Sequence, residues 1–426
     1  MADTGIAASA SCPFAGSNNG QHITQPGDFR FLPSDFRHDD GPSTPPSDNP
    51  PLGILSLLEG KAFRGTGFNM IFRPNSGPPP LGTSFRNPIS PPAPQGVSNN
   101  VLELNLMTET WTFSTGIGIV PNRGLGSQGN INLNAIQYLQ TVNDVTNPHT
   151  GKADGRPTGI HVENGMFMHV PKTTVNPKLA TTIARGGTIP HGVVINLQGL
   201  EPLTFTPGPP TIPSISTVPF LSTPPFTQQT NVFKSLDATD QDTPRIPQDL
   251  TLFLEQGTIT QEMLNDPASV LRDVNSNRHI LKTATLVMSS INNSPSSLGI
   301  KSGGGVAGIS FLAGDSDVPL NPNALPVQVD FTLWIEVVKY HVPIPACPKG
   351  KKVEVEHEGI LFVFSPPKEI EEPGATVTVL VEELQYSQVV FLQFGGLVWP
   401  HPTVATLKPE KVCVGVSGDA WGDLDE

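Results

Sequence analysis

The amino-acid sequence predicts an all-β fold, either an antiparallel barrel or a sandwich, with little helix. Segments that alternate apolar and polar residues recur along the 426 residues, and this alternation is typical of strands with one buried face. The 41 glycines and 46 prolines concentrate between these segments, where they favour turns and loops. Because hardly any helical pattern intervenes, consecutive strands are expected to pair antiparallel.

Three regions are predicted along the chain. Residues 1–50 are polar, rich in Pro, Ser and Asp and poor in aliphatic residues, which predicts a flexible N-terminal arm. Residues 51–345 are expected to form the main domain, which opens with a short helix in "PLGILSLLEGKAF". Residues 346–426 follow the boundary "PIPACPKG" and are interpreted as a small β-rich C-terminal module.

The strands predicted in the main domain are "FRGTGFNMIFRP", "NVLELNLMTETWTFS", "NAIQYLQTVNDV", "GIHVENGMFMHVP", "HGVVINLQG", "HILKTATLVMSS" and "VQVDFTLWIEVV". A short helical insert near residues 247–275 interrupts them. Pro247 suits a first helical turn, Thr258 with Gln261 fits a capping box, and Asp266 before Pro267 marks another start. The insert is expected to close or flank one end of the barrel.

Composition argues against several functional classes. With 38 acidic and 25 basic residues, the formal net charge of −13 disfavours nucleic acid or an anionic membrane as the main partner. No apolar run is long enough to span a membrane and the first residues lack a signal-peptide pattern, so a cytoplasmic protein is expected. The widely spaced Cys12, Cys347 and Cys413 lack the Cys-x-x-Cys pattern of a thiolate zinc site.

The segment "GIHVENGMFMHVP", residues 159–171, carries the main candidate site. His161, Glu163 and Phe167 share one face of the predicted strand, and Glu163 could orient the imidazole or share its proton. Periodicity leaves open which face points inward, because the opposite face is the more apolar. A strand histidine is also often a surface residue or a satisfied core residue, and that interpretation stays open.

A second candidate region is "ARGGTIPHGVVINLQG". His191 lies between Pro190 and Gly192 at the entry to a strand, a position common for ligand contacts, although a plain turn is the alternative. Arg185 precedes this bend and could pair with an anionic ligand group or with a surface carboxylate. The signatures of P-loops, zincins and nucleophile elbows are absent from the sequence.

Large flat or pliable side chains along the predicted strands could line a pocket for a planar hydrophobic ligand, or could simply fill the core. They are Phe63, Phe68, Phe72, Trp111, Phe113, Tyr138, Met166, Phe167, Met168, Phe331 and Trp334.

Several segments, in serial order, resemble the FMP-type heme-binding proteins, which are described as peroxidase-like. They are "FRGTGFNMIFRPN", "NVLELNLMTETWTFS", "VPNRGLG", "YLQTVNDVT", "GIHVENGMFMHVP", "TIPHGVVINLQG", "TPRIPQDL", "GTITQEMLNDP" and "VDFTLWIEVV", which span about residues 51–338. More distantly, Phe63, Gly65 and Gly67 together with "HVENGMF" are similar to the nitrobindin-like branch of the calycin β-barrels. That branch holds heme b in the barrel mouth.

This resemblance implies a calycin-like barrel that binds heme b, with His161 near the open side of the heme. The nitrobindin-like branch ligates iron through a histidine on its last barrel strand, and "PVQVDFTLWIEVV" has none. The iron ligand is therefore expected to be His191 or His161, with His279 as the next candidate.

In a peroxidase-like reaction, or one on nitric oxide or oxygen, His191 would hold the iron. His161 and Glu163 would move the peroxide proton, and Arg185 would polarise the O–O bond. The residues expected to line the cofactor are Phe68, Trp111, His161, Phe167 and His191. The alternatives are a non-catalytic carrier or sensor of a hydrophobic small molecule, and a structural protein whose C-terminal module binds a partner.

Overall fold

The structure, a computed structural model, describes residues 51–73, 101–124, 129–173, 180–189, 192–202, 204–223, 226–228, 237–239, 249–291, 305–308, 325–366, 368–371, 375–394 and 397–414. The predicted arm, residues 1–50, lies outside these ranges. The strands are β1 (Ala62–Arg73), β2 (Val101–Phe113), β3 (Val120–Asn122), β4 (Ile131–Asp144), β5 (Thr158–Val170), β6 (Thr182–Ile189), β7 (Val193–Leu200), β8 (Thr206–Pro207), β9 (Phe220–Leu221), β10 (Ile280–Ser289), β11 (Gly305–Gly308), β12 (Leu325–Ile344), β13 (Val353–His357), β14 (Ile360–Phe364), β15 (Ala375–Phe394), β16 (Leu397–Pro409) and β17 (Lys411–Val414).

Ten of these strands close into an antiparallel barrel, which confirms the predicted fold class. The order around the barrel is β7, β6, β5, β4, β2, β1, β16, β15, β12 and β10, and β10 returns to β7 where Ser289 pairs with Gln198. The seam between β10 and β7 consists of this single residue pair, and the short β11 pairs with the same edge of β7 from Val193 to Asn196.

The chain beyond residue 345 is shared between the barrel and a small sheet. β15 pairs with β12 from Leu325 to Ile344, and β16 joins β15 to β1. β13, β14 and β17 form a separate three-stranded sheet, whose Phe362 and Phe364 pack against Val342 and Val377 on the long strands. Of the predicted C-terminal module, only these three strands stand apart, because β15 and β16 make their backbone hydrogen bonds within the barrel.

Side chains from all ten barrel strands meet in one buried cluster, which is the barrel interior. On β1 and β2, Phe63 and Trp111 face this interior, whereas Phe68 and Leu104 belong to a second buried cluster on the outer face. Both faces of these strands are therefore buried. The alternation of two apolar sets along β1 and β2 reflects two separate packing surfaces.

The helical insert forms the cover of that outer face. It consists of α1 (Thr251–Gln256), α2 (Gln261–Asn265) and α3 (Ser269–Ser276), and its buried Phe253, Leu264 and Leu271 pack in the outer cluster. The predicted capping box at Thr258 is wrong: Thr260 caps α2 by accepting a hydrogen bond from the Met263 amide at 3.2 Å. The Thr258 hydroxyl donates instead to the carbonyl of Gly151.

A 3₁₀ turn at Gly53–Leu57 packs against the barrel where β5 ends. Its flanking Leu52 and Leu58, with Leu55, join the interior cluster. Glu201 holds the turn by accepting from the Ile54 amide at 2.8 Å and lies 3.2 Å from His169 Nε2. No helix in the described part of the chain is long and apolar enough to cross a membrane.

A chain that ends at Ile344 is expected not to fold cooperatively, because β1 and β12 would each lose a neighbouring strand. Thermal unfolding followed by tryptophan fluorescence would measure this. A chain that ends at Val414 is the matched control and should unfold in one transition. Native-like unfolding of the shorter chain would contradict the assignment of β15 and β16 to the barrel.

Candidate functional site

A buried ion pair lies at the centre of the barrel interior. Glu163 on β5 and Arg185 on β6 are both fully buried, and Arg185 Nη2 lies 2.9 Å from Glu163 Oε1. The Tyr138 hydroxyl on β4 donates to the same carboxylate oxygen and accepts from Arg185 Nε at 3.0 Å. Inward-pointing side chains from the three neighbouring strands β4, β5 and β6 therefore contact one another around the ion pair.

The other guanidinium nitrogens also donate to side chains of the interior. Arg185 Nη1 donates to Gln388 at 2.9 Å, and Nη2 makes a longer contact of 3.4 Å with Gln140. Four aromatic rings surround the cation: its central carbon lies 4.4 Å from the ring centroid of Phe331 and 5.3 to 5.6 Å from those of Trp111, Tyr138 and Phe167. Cation–π contacts of this kind are strongest where water is excluded.

The ion pair fixes the charge state of its members. Burial alone would raise the pKa of Glu163, but Arg185, His161 and Tyr138 outweigh it and lower that pKa from 4.5 to about 2. Burial opposes the charged guanidinium, yet Glu163 and Tyr138 raise the pKa of Arg185. Burial raises the pKa of Tyr138, so the phenol keeps its proton. Glu163 is therefore ionised at neutral pH and does not exchange protons there.

A second carboxyl group behaves in the opposite way. Glu109 on β2 is buried and accepts hydrogen bonds from Gln140 Nε2 and the Tyr386 hydroxyl, both at 2.8 Å. Burial raises the pKa of Glu109 from 4.5 to about 7, although Tyr386, Gln140 and Arg185 each oppose that shift. The interior thus holds two carboxyl groups whose surroundings separate their pKa values.

His161 connects the ion pair to the end of the barrel. Its Nε2 lies 3.4 Å from Glu163 Oε2, and 21% of its side chain is exposed. We call this end the mouth; it is the end at which β5 begins, and Ile160, His161, Ile189 and Val193 mark it. A histidine oriented by a buried carboxylate is a common arrangement in ligand sites.

Two glycines make room for the contact between Tyr138 and Glu163. Gly165 and Gly187 pair across β5 and β6. A Cβ atom on Gly187 would lie 2.4 Å from Glu163 Oε1 and 2.6 Å from the Tyr138 hydroxyl oxygen, and one on Gly165 would lie 2.7 Å from that hydroxyl. Only glycine permits this approach without displacing buried polar atoms.

The structure brings together most of the sequence-predicted site residues. His161, Glu163 and Arg185 form one network, with Trp111 and Phe167 in the rings around it. Arg185 pairs with a buried carboxylate, not with one on the surface. Phe68 lies in the outer cluster under the helical insert, so it does not line the same space.

None of the other candidate histidines that the structure describes lies in this network. His191 lies outside the described residues. His279 is exposed just before β10, and His169 is buried beside Glu201 at the opposite end of β5 from His161. Within the described ranges, no three His, Cys, Asp or Glu side chains converge in a way that could hold a metal ion.

Sequence reasoning missed Glu109, Gln140, Tyr386 and Gln388 as members of the network. Glu109 and Trp111 lie two residues apart on β2 and so share a face, which was the available signal. Tyr386 and Gln388 fell in the region interpreted as a separate module, so their contact with Arg185 and Glu109 was not foreseeable.

Comparison of the chain with protein-family models, with curated proteins and with solved structures finds no match. The heme-binding resemblance of the sequence motifs therefore stays a prediction.

Replacing Gly187 by alanine is expected to lower the free energy of unfolding by about 2 kcal/mol, because the new methyl group would push Glu163 and Tyr138 apart. Denaturant unfolding would measure the change. Gly186→Ala is the matched control, since nothing lies within 4 Å of the added Cβ, and it should shift stability by less than about 1 kcal/mol. Equal effects at the two positions would argue against the glycine pair as a spacer.

Glu109 is expected to make the protein less stable as pH rises. Its pKa is higher in the folded than in the unfolded chain, so its contribution is complete below pH 4.5 and is lost as pH rises through about 7. The loss should amount to about 3 kcal/mol. Unfolding measured across this range should give a smaller decline for Glu109→Gln, and an unchanged decline would contradict the assignment.

Proposed function

We propose that this protein is a non-catalytic carrier or sensor of a hydrophobic small molecule that binds at the mouth of the barrel, with heme b as the first ligand to test. One observation carries the proposal. His161 is partly exposed at the mouth while its ring is held from below by the buried Glu163. A fixed polar group at the edge of an aromatic interior is typical of sites that orient an apolar ligand.

Apolar side chains around His161 support this location. Ile189 and Val193 belong to the interior cluster at the mouth, and the partly buried Ile160 and Val306 pack against that cluster. Ile189 and Val193 are already buried, so a ligand seated here would cover the exposed parts of Ile160, Val306 and His161. Removing such apolar surface from water is the main source of affinity for a hydrophobic molecule.

The charged network favours a carrier over a peroxidase. General acid–base catalysis needs a group that gains and loses a proton near the working pH, and Glu163, with a pKa of about 2, stays ionised. Arg185 is fully buried, and each of its three guanidinium nitrogens donates to a side chain of the interior: Nε to Tyr138, Nη1 to Gln388 and Nη2 to Glu163. Both residues are better explained as a fixed support for His161.

Heme b is compatible with this mouth under one constraint. The Nε2 atom of His161 faces Glu163, so the ring turns that nitrogen away from a ligand above it. His161 would then lie beside the heme, and His191 is the sequence-predicted ligand of the iron. Trp111 and Phe167 are fully buried around Arg185, deeper in the barrel than His161, so a ligand at the mouth would rest on the ion-pair network and not on these rings.

Titration of the purified protein with heme b tests the proposal, with the Soret band and the quenching of tryptophan fluorescence as readouts. We expect stoichiometric binding, and we expect His161→Ala to weaken it about tenfold, since the oriented edge of the site is lost. His341→Ala is the matched control, because His341 is an exposed strand histidine on β12.

Two results would contradict the proposal. One is the absence of binding for both heme b and a hydrophobic dye such as 1-anilinonaphthalene-8-sulfonate. The other is sustained turnover of peroxide by the heme-loaded protein, which would restore the enzymatic alternative. Loss of the Soret shift in His191→Ala, with quenching retained, would assign the iron ligand without affecting the carrier role.

A further inference from the structure

Two carboxyl groups and one guanidinium lie in a single polar network within the described part of the barrel interior. Glu109, Glu163 and Arg185 are all buried. The guanidinium makes its short contact, 2.9 Å, with Glu163 and reaches Glu109 only through Gln140. An ionised Glu109 would therefore be a buried charge without a cation in contact, which is strongly unfavourable unless a proton neutralises it.

A continuous chain of polar contacts links Glu109 to the mouth. Gln140 donates to Glu109 at 2.8 Å and accepts from Arg185 at 3.4 Å. Arg185 pairs with Glu163, and Glu163 Oε2 lies 3.4 Å from His161 Nε2. A change in the surroundings of His161 thus acts on the electrostatic balance at Glu109 through side chains that are already in contact.

We infer that Glu109 carries an exchangeable proton and that binding of a hydrophobic ligand at the mouth draws a proton onto it. This inference rests on the proposed function. A ligand that covers His161 removes water from the mouth, which strengthens the interactions among the interior charges and makes an uncompensated carboxylate more costly. The ligand should therefore bind more tightly when Glu109 is protonated, and by linkage its affinity should fall as pH rises.

The titratable and charged groups around Glu109 come from four strands. They are Tyr138 on β4, His161 and Glu163 on β5, Arg185 on β6 and Tyr386 on β15. Tyr138 and Tyr386 have raised pKa values, chiefly through burial, and Arg185 stays charged beside Glu163. Of the two interior carboxyl groups, Glu109 is the one able to exchange a proton near neutral pH, because Glu163 is held ionised.

Titrations with heme b between about pH 5.5 and 8.5 test the coupling. We expect the affinity of the unmodified protein to fall three- to tenfold across this range. Glu109→Gln, which mimics the protonated carboxyl, should keep only the pH dependence that heme itself contributes. Glu103→Gln changes an exposed carboxyl group on the same strand and should keep the full pH dependence, together with any that heme itself contributes.

A second variant guards against a folding defect in Glu109→Gln. In the unmodified protein the Tyr386 hydroxyl donates to Glu109 and lowers the pKa of that carboxyl group. Tyr386→Phe removes this hydrogen bond, so the midpoint of the pH dependence should move to higher pH. An identical pH dependence in the unmodified protein and in folded Glu109→Gln would overturn the inference.

Infrared spectroscopy of the ligand-free protein separates this inference from the proposed function. A C=O band of a protonated carboxylic acid should be present near neutral pH, decline as pH rises, and be missing in Glu109→Gln. If this band is present but neither heme b nor the dye binds, Glu109 is protonated as inferred, and both the carrier role and the coupling are overturned. Ligand binding without this band would keep the carrier role and overturn the inference.

Discussion

The ion pair between Glu163 and Arg185 is the contact on which the barrel interior depends. Removing two charges from water is costly, and their mutual attraction offsets that loss only when the remaining donors and acceptors are also satisfied. Here Tyr138 and Gln388 accept hydrogen bonds from Arg185, and the small size of Gly165 and Gly187 lets Tyr138 approach the ion pair. The pair therefore determines which residues are tolerated on the inward faces of β4, β5, β6 and β15, and it holds His161 at the mouth.

The same requirement explains why the C-terminal strands belong to the barrel. Gln388 and Tyr386 lie on β15, and they supply the polar partners that Arg185 and Glu109 need in a space that is otherwise aromatic. β15 pairs with β12 over nearly twenty residues, which extends both strands past the barrel and gives the three-stranded sheet a surface to pack on. β15 thus both forms part of the barrel wall and supplies hydrogen-bond partners for the buried charged groups.

Among the ten barrel strands, sequence periodicity was sufficient for those that alternate and insufficient for β6 and β16. β6 contains Gly186 and Gly187, which carry no side chain to set a period. β16 contains Pro400 and Pro402, and proline lacks the backbone N–H that a central strand donates, so the sequence argued against a strand here. In the structure β15 pairs with both prolines, but β1 pairs with β16 only from Thr403 onward. On the β1 side, therefore, no neighbouring strand lacks a hydrogen bond because of these prolines. The barrel class followed from the remaining strands. The pairing of Arg185 did not, because a buried carboxylate and a surface one are indistinguishable in the sequence.

Two glutamates in one aromatic space acquire different properties because one has a cation in contact and the other does not. Glu163 has the guanidinium at 2.9 Å and is a permanent charge, whereas Glu109 has neutral donors and lies near its titration point at neutral pH. A barrel filled only with apolar side chains would respond to a ligand through packing alone. Under the proposed coupling, a ligand that covers His161 would change the protonation of Glu109 through the ion pair while the strands stay in register. The fixed charge of Glu163 would then support His161, and the proton on Glu109 would respond to the ligand that we propose for the mouth.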